Sequence, residues 1–358
     1  MQKNNDLTSN KFSNEYIITH EKVDYINKAL SNFDIKEKDI YFKSEYSSLY
    51  QDDLNKPLFY IYNDGSNFFF YPFLIHNIGN NNNFYDISTP YGYGGPIVNT
   101  DDLIFIKKSW NQLNFELKRL NVIAELIKFH PLIKNHLFLE NIYEGKIINV
   151  CKTISLSIYA NDDDFFLKNK YSYSNRKSIK KAKNHNCEII ISNESQYWHK
   201  FLELYESNLQ KIGAKKKYFF KRSYYDKIKK SLNNDYQIIS CKYKGEIISS
   251  ILILHNNYYA HCHLIGSSDL SRKLSANNLL HHEVVNWCKN INIKVLHFGG
   301  GVGNDDQDPV FKFKKSFSDE LNDFFIGERI INKHIYDKLV ISNSKNKIVK
   351  NNIFKYRY

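Results

Sequence analysis

Apolar and polar positions along the chain repeat one order twice. Residues 57–63 and 67–76 are dense in Phe, Tyr, Ile and Leu and flank Asn63-Asp64-Gly65-Ser66, which predicts a β-hairpin. A Tyr/Gly/Pro-rich stretch follows from Tyr85 to Pro96. Over 102–119 the spacing turns helical, with Leu103, Ile106, Trp110, Leu113 and Leu117 along one face. The short apolar run 122–129 then predicts a strand ending at His130-Pro131. In the second half, 237–243 and 246–255 predict a hairpin across Lys244-Gly245, and 258–265 predicts a third strand. A helix over 276–290, built on Leu279, Leu280, Val284, Val285 and Trp287, leads to a strand at 294–298.

Strands, a helix and one more strand, met twice, predict an α/β (α+β) protein of two related domains. The expected domains are 1–150 and 151–341, the second carrying a basic helical segment at 165–235. A polar, basic tail at 342–358 is expected to be helical or frayed.

Composition narrows the class. Of 358 residues, 42% are apolar, with 27 Tyr and 25 Phe, enough to fill two cores and against a disordered or fibrous chain. Fifty Lys and Arg against 38 Asp and Glu leave +12, which calls for an anionic partner: nucleic acid, a phosphorylated small molecule or an anionic membrane. Seven of the cations fall in 168–183 and nine in 211–230. The cysteines (151, 187, 241, 262, 288) are scattered without a CxxC pair, against a zinc site or disulfide framework and in keeping with a reducing cytosol. The start MQKNNDLTSN lacks a secretory apolar stretch, and no apolar run approaches the ~18 residues of a spanning helix. A soluble, cytoplasmic protein is expected.

Candidate chemistry gathers in a few places. Between a strand and a helix, Gly266 to Asn278 places Arg272, Lys273, Ser275 and Asn277 at a helix N-terminus, with Ser275 as its cap; this suits a phosphate or a plain helix start. Gly299, Gly300, Gly301 and Gly303 follow His297-Phe298 at a strand end, where open α/β sheets bind ligands; the other reading is a flexible loop. In the segment 308–317, Phe313 and Phe317 fall four apart and face a core. That leaves Lys314 at a site edge, where an ammonium stabilises an oxyanion or binds phosphate, or simply meets water. Tyr91-Gly92-Tyr93-Gly94-Gly95-Pro96 offers stacking surfaces and close backbone approach, or a structural turn. Arg176 is placed to clamp a phosphate. His261 and His263 share a strand face, but with His281 and His282 they make no metal-ligand spacing, and no GxSxG elbow occurs.

In their order along the chain these residues resemble FemAB-like acyltransferases of the GNAT superfamily. Asp39 to Phe42 with Glu45-Tyr46, Tyr91 to Pro96, and Glu125 with Phe129-His130-Pro131 resemble the N-terminal half of that family. Ser174-Asn175-Arg176, Gly266-Ser267, His297 with Gly299 to Gly301, and Phe313-Lys314 with Phe317 resemble its C-terminal half. The resemblance spans about residues 38–330. It implies two tandem GNAT-like domains, each a mixed, mostly antiparallel sheet flanked by helices, and transfer of an acyl or aminoacyl group to an amine. It implies Lys314 as the residue supporting the oxyanion. Tyr91, Tyr93, Gly94, Gly95 and Arg176 would hold an acceptor that carries a nucleotide or lipid diphosphate. His263, Gly299 to Gly301 and Phe313 are expected to line the substrate site, and Arg272, Lys273, Ser275 and Asn277 the donor's phosphates. The general base is sought among His297, Asp305, Asp306 and Asp308, with no ranking.

The co-substrate expected is acyl-CoA and the acceptor an aminosugar of surface-polysaccharide or cell-envelope biosynthesis, with peripheral membrane contact allowed. One alternative is an aminoacyl-tRNA donor read by the basic stretches; residues 162–235 are too short for the long coiled coil of some bridge enzymes. A non-enzymatic binder of nucleic acid or an anionic surface is the other.

Overall fold

The 57–76 hairpin buries both of its faces, which is why its strands read as near-continuous aromatic runs. A computed structural model describes residues 15–78, 83–159, 165–302, 307–342 and 353–357. The chain forms two compact units, one from the residues up to Val150 together with those from Asp323 on, the other from Cys151–Asn322.

In the first unit, β1 (Ile17–Thr19) lies antiparallel on β2 (Asn55–Asn63), which pairs with β3 (Phe68–Asn77) from Asn55 opposite His76 to Asn63 opposite Phe68. Beyond β3 come β4 (Tyr85–Ser88) and the short β5 (Ile97–Val98), both antiparallel to it. The helix Leu103–Arg119 leads to β6 (Val122–Lys128), which is parallel to β4. Side chains alternate across a strand. Leu58, Tyr60, Phe69, Tyr71 and Phe73 therefore pack with Phe105, Ile106, Trp110, Leu113 and Leu117 of the helix, while Phe59, Ile61 and Phe70 meet Ile26, Leu30, Phe33 and Phe42. Leu103 departs from expectation: it sits in the first helical turn, 63% exposed.

The strand β7 (Lys146–Ser157) carries the chain into the second unit. There its residues Ile154 to Ser157 pair antiparallel with β12 (Val295–Gly299). The antiparallel series β8 (Glu188–Ile191), β9 (Tyr236–Tyr243), β10 (Glu246–His255) and β11 (Tyr259–Ser267) completes the sheet, with β11 parallel to β12. The stretch 165–235 is thus not wholly helical, since β8 lies within it. On one face, Leu279, Leu280, Val284 and Val285 of the helix Ala276–Asn290 pack on Ile251, Ile253, Ala260 and Leu296. On the other, Trp198 of the helix Ser195–Lys211 meets the ring of Tyr236 at 5.4 Å.

That second helix crosses β11 at Gly266. A Cβ there would stand 2.3 Å from the Tyr205 backbone nitrogen and 2.6 Å from the Leu204 carbonyl carbon. Only glycine fits. The Gly266→Ala variant is expected to lose about 2 kcal/mol, in the range of overpacked cores, read as a lower urea midpoint at unchanged slope.

The strand β13 (Glu320–Ile330) returns to the first unit, where Ile326 to Ile330 pair with Lys128 to Ala124 of β6. The expected 151–341 domain is corrected accordingly: from Asp323 the chain belongs to the first unit. Of the expected tail, residues 343–352 and 358 lie outside the described residues, and Lys355–Arg357 form a short 3-10 helix. Ile353, Phe354 and Tyr356 are buried with Tyr336 against Ile123 and Ala124. The Tyr356 hydroxyl and Arg357 Nε each donate to Oδ2 of the buried Asp86 at 2.9 Å, and Arg357 Nη2 donates to Oδ1. A basic tail docks because it meets a carboxylate that would otherwise be buried alone.

Candidate active site

The parallel pair of the second unit is paired for only three residues. Tyr259, Ala260 and His261 face Val295, Leu296 and His297, after which β11 continues on β10 to Ser267 while β12 shifts register between His297 and Gly299 toward β7. The strands therefore part and leave a wedge. In the first unit the equivalent pair, β4 and β6, shifts register once between Tyr85 and Asp86, stays matched from Asp86 to Ser88, and is extended by Thr89 and Gly94 donating to the Leu126 and Lys128 carbonyls. That pair is closed.

The helix Pro309–Lys315 brings Lys314 to the wedge. Its start is local chemistry: the Asp308 carboxylate accepts from the Phe311 N–H at 2.8 Å, and Pro309 occupies the first turn. Phe317 packs on Phe298 and Tyr171, and Phe313 meets His281 edge-on at 5.0 Å, so this turn is held by aromatic contacts. Lys314 Nζ donates to the Gly300 carbonyl at 2.6 Å, leaving two of its hydrogens for another acceptor. Burial pulls this ammonium down to about 8, against the opposing influence of Cys262, Asp308 and Cys151. Burial also pushes the Cys262 thiol up to about 12 and the Cys151 thiol upward. His281 is held neutral, drawn down to about 4 by burial; its Nδ1 donates to the Asn277 carbonyl at 2.8 Å, which fixes the tautomer.

The residues expected as one catalytic set fall into separate places. Asp308 caps the Lys314 helix and lies against Gly301, where a Cβ would be 2.7 Å from its Oδ1. His297 alternates away from Leu296 and Phe298, which join the core under the helix Ala276–Asn290. It therefore lies on the opposite face of β12 from that core, with Nδ1 at 3.2 Å from His261 Nδ1. His263 shares that face, bonded through Nε2 to the Tyr224 hydroxyl at 2.7 Å and pushed down to about 3 by burial. Asp305 and Asp306 lie outside the described residues.

Ser275 is a correction. It has a left-handed backbone (φ +60°) and its side chain caps nothing. The polar run 269–274 is itself a helix, Asp269–Leu274, capped by the Ser268 hydroxyl accepting from the Ser271 N–H. Arg272 and Lys273 are exposed on that helix, and the Asn277 side chain accepts from Ser271. The open strand–loop–helix cradle expected there is therefore filled by a turn of helix.

Arg176 lies on the helix Tyr173–Asn184 and spends Nη1 on the Tyr171 carbonyl at 2.6 Å, which leaves the Nε and Nη2 edge for an anion. The neighbouring Asn175 escaped the sequence reading. Its amide donates to the Ser316 carbonyl at 3.1 Å and accepts from Asn278 at 2.8 Å. It ties three helix ends around Lys314, and its signal was its place inside Ser174-Asn175-Arg176.

The Tyr91 to Pro96 loop of the first unit is rigidly mounted. Asn135 Nδ2 donates to the Gly94 and Pro96 carbonyls at 2.8 Å, and the Tyr46 hydroxyl donates to the Tyr91 carbonyl at 2.6 Å. Gly92 and Gly95 turn with φ near +90°, and a Cβ on either would collide with Tyr41 or Ile127. Beneath them a buried His130 accepts from the Ile133 N–H through Nδ1, so Nε2–H donates to Asp39 at 2.7 Å. Tyr91 and Tyr93 stand half-exposed on this base, the Tyr93 ring edge-on to Tyr41 at 5.7 Å.

Residues 169–314 match the model of the acetyltransferase (GNAT) domain. Among curated proteins none matches the sequence. The fold is similar to the crystal structure of FemX, with TM-score 0.67 and 13% identity over 90% of this chain and 98% of that one. A conserved protein of unknown function from Bacteroides thetaiotaomicron is similar at TM-score 0.60 and 13% identity, over 87% and 97%. A tandem GNAT protein from the clavulanic acid biosynthesis pathway is similar at TM-score 0.50 and 8% identity, over 87% and 97%.

Proposed function

We propose that this chain, whose residues 169–314 match the acetyltransferase (GNAT) domain, is a FemAB-like acyltransferase that moves an acyl group from acyl-CoA to the amine of a nucleotide- or lipid-linked aminosugar in surface-polysaccharide or cell-envelope synthesis. The carrying observation is the parted β11/β12 pair with Lys314 at its edge. A thioester carbonyl entering such a wedge meets an ammonium already oriented by Gly300, with two hydrogens left for the oxyanion. A neutral amine attacks the carbonyl carbon, the C–N bond forms, and the C–S bond breaks as the thiolate takes a proton. The amine is a competent nucleophile, so proximity and oxyanion support are the main demands on the protein. Within the second unit, the free edge of Arg176 is the acceptor contact in this reading.

A second reading, aminoacyl-tRNA as donor, is favoured by the seven cations and absent carboxylates of 168–183. Incubation of nucleotide-linked aminosugars with a panel of acyl-CoAs, read by mass spectrometry, separates the two. RNase-insensitive gain of the acyl mass is the expected result. Transfer that occurs only with charged tRNA and stops on RNase treatment would overturn the acyl-CoA reading.

A further inference from the structure

A surface of the second unit combines two properties that soluble surfaces seldom combine. Ile212, Phe219 and Leu270 are 61%, 40% and 37% exposed. Around them Lys211, Lys215, Lys216, Lys221, Arg222, Arg272 and Lys273 are all exposed. The pieces are fixed to one another. Lys211 Nζ pairs with Asp269 Oδ2 at 3.0 Å, which ties the end of the helix that Ile212 follows to the start of the helix that carries Leu270. The Tyr205 hydroxyl donates to the Tyr218 carbonyl at 3.0 Å and holds the segment before Phe219. Asp269, already spent on Lys211, is the one carboxylate among the described residues of 211–222 and 269–273.

We propose that the 212–222 segment and the helix Asp269–Leu274 form a docking surface for an anionic lipid bilayer. Cations at the headgroup level are each worth about 1 kcal/mol near an anionic leaflet, and exposed aliphatic side chains gain by entering the headgroup–acyl boundary. RNA would satisfy the same cations, but it stacks bases on aromatic planes and has no use for an exposed Ile and Leu. The aliphatic pair therefore selects the bilayer. The surface flanks the end of β11 at Gly266 and Ser267, so docking would hold the wedge near the membrane, where a lipid-linked acceptor resides; that purpose, though not the docking itself, rests on the acyl-transfer reading. No described helix is long and apolar enough to cross a membrane, so the contact is peripheral.

The test is co-sedimentation of the full chain with vesicles of phosphatidylglycerol and phosphatidylcholine against vesicles of phosphatidylcholine alone, with no acyl donor or acceptor present. Preferential partition to the anionic vesicles is expected. K215E/K216E is expected to weaken it at least ~tenfold, given about 1 kcal/mol per cation. I212S/L270S is expected to weaken it several-fold while leaving thermal unfolding and transfer to a soluble aminosugar unchanged. Equal partition to both vesicle types, or I212S/L270S binding as the parent does, overturns the proposal. So does a single-stranded RNA that displaces the vesicles and binds I212S/L270S undiminished. A failed acyl-transfer assay leaves the vesicle readout untouched, so the two readings fall separately.

Discussion

Lys314→Ala is expected to lower kcat with acyl-CoA by ~10²- to 10³-fold, the loss that follows removal of one preorganised oxyanion partner. KM for the donor is expected to change little, because the ammonium acts on charge that develops during reaction. The pH profile carries the sharper signature. With the group held near 8, activity that needs the ammonium declines as pH rises through about 8, whereas Lys314→Arg, charged throughout, removes that decline even where its absolute rate is low. Stability should move the opposite way. The folded value lies below the ordinary 10.5, so the cost of burying the charge is present below about 8 and vanishes once both states are neutral above 10.5. Lys314→Met is therefore expected to melt higher than the parent at pH 7, with the advantage shrinking between pH 8 and 10.5. A variant with near-parental turnover on an identified substrate pair would sink the assignment.

Arg329→Ala is expected to cost the first unit about 3–5 kcal/mol, the penalty for stripping a buried charge of its partner. Arg329 Nε donates to Glu125 Oε2 at 2.9 Å, and both side chains are almost wholly enclosed. The Tyr71 hydroxyl donates to the other oxygen at 3.1 Å, and Nη1 donates to Asn114. Nη2 is buried without a hydrogen-bond partner, and the guanidinium instead lies 4.6 Å from the centre of the Trp110 ring. Against a total of about 5–15 kcal/mol for a domain, the loss leaves the variant close to unfolding. Replacing both partners, as Glu125→Leu with Arg329→Met, should recover most of it, because no charge is then left in the core. Urea unfolding followed by circular dichroism measures both. A mild single variant would show that water reaches Glu125.

Glu125 was legible in the sequence only as part of a family resemblance; Arg329 was not legible at all. They lie 204 positions apart, and nothing local marks an arginine that must cross from β13 to β6. The hairpins and the 276–290 helix were legible for the opposite reason. Alternation and 3.6-residue spacing are imposed by each segment's own backbone, and the neighbours only have to accept the faces so made. The FK..F turn was half legible: the four-residue spacing placed Phe317 in the core, but the reach of Lys314 to Gly300 came from the fold.

By itself, the sequence determined the two hairpins, the helices over 102–119 and 276–290 with the strands after them, their apolar faces, the doubled order of these elements, and a family resemblance resting on ordered motifs. Tertiary structure alone decided that β11 and β12 part after three pairs while β4 and β6 stay closed, and that the chain from Asp323 rejoins the first unit. It also decided that His297 faces away from the core that Leu296 and Phe298 enter, that Asp308 serves as a cap, and that Asn175 ties the lysine's helix in place. The division is physical. Periodicity is a property of neighbours in sequence, whereas strand separation, burial of charge and the choice of hydrogen-bond partner depend on what packs from hundreds of residues away.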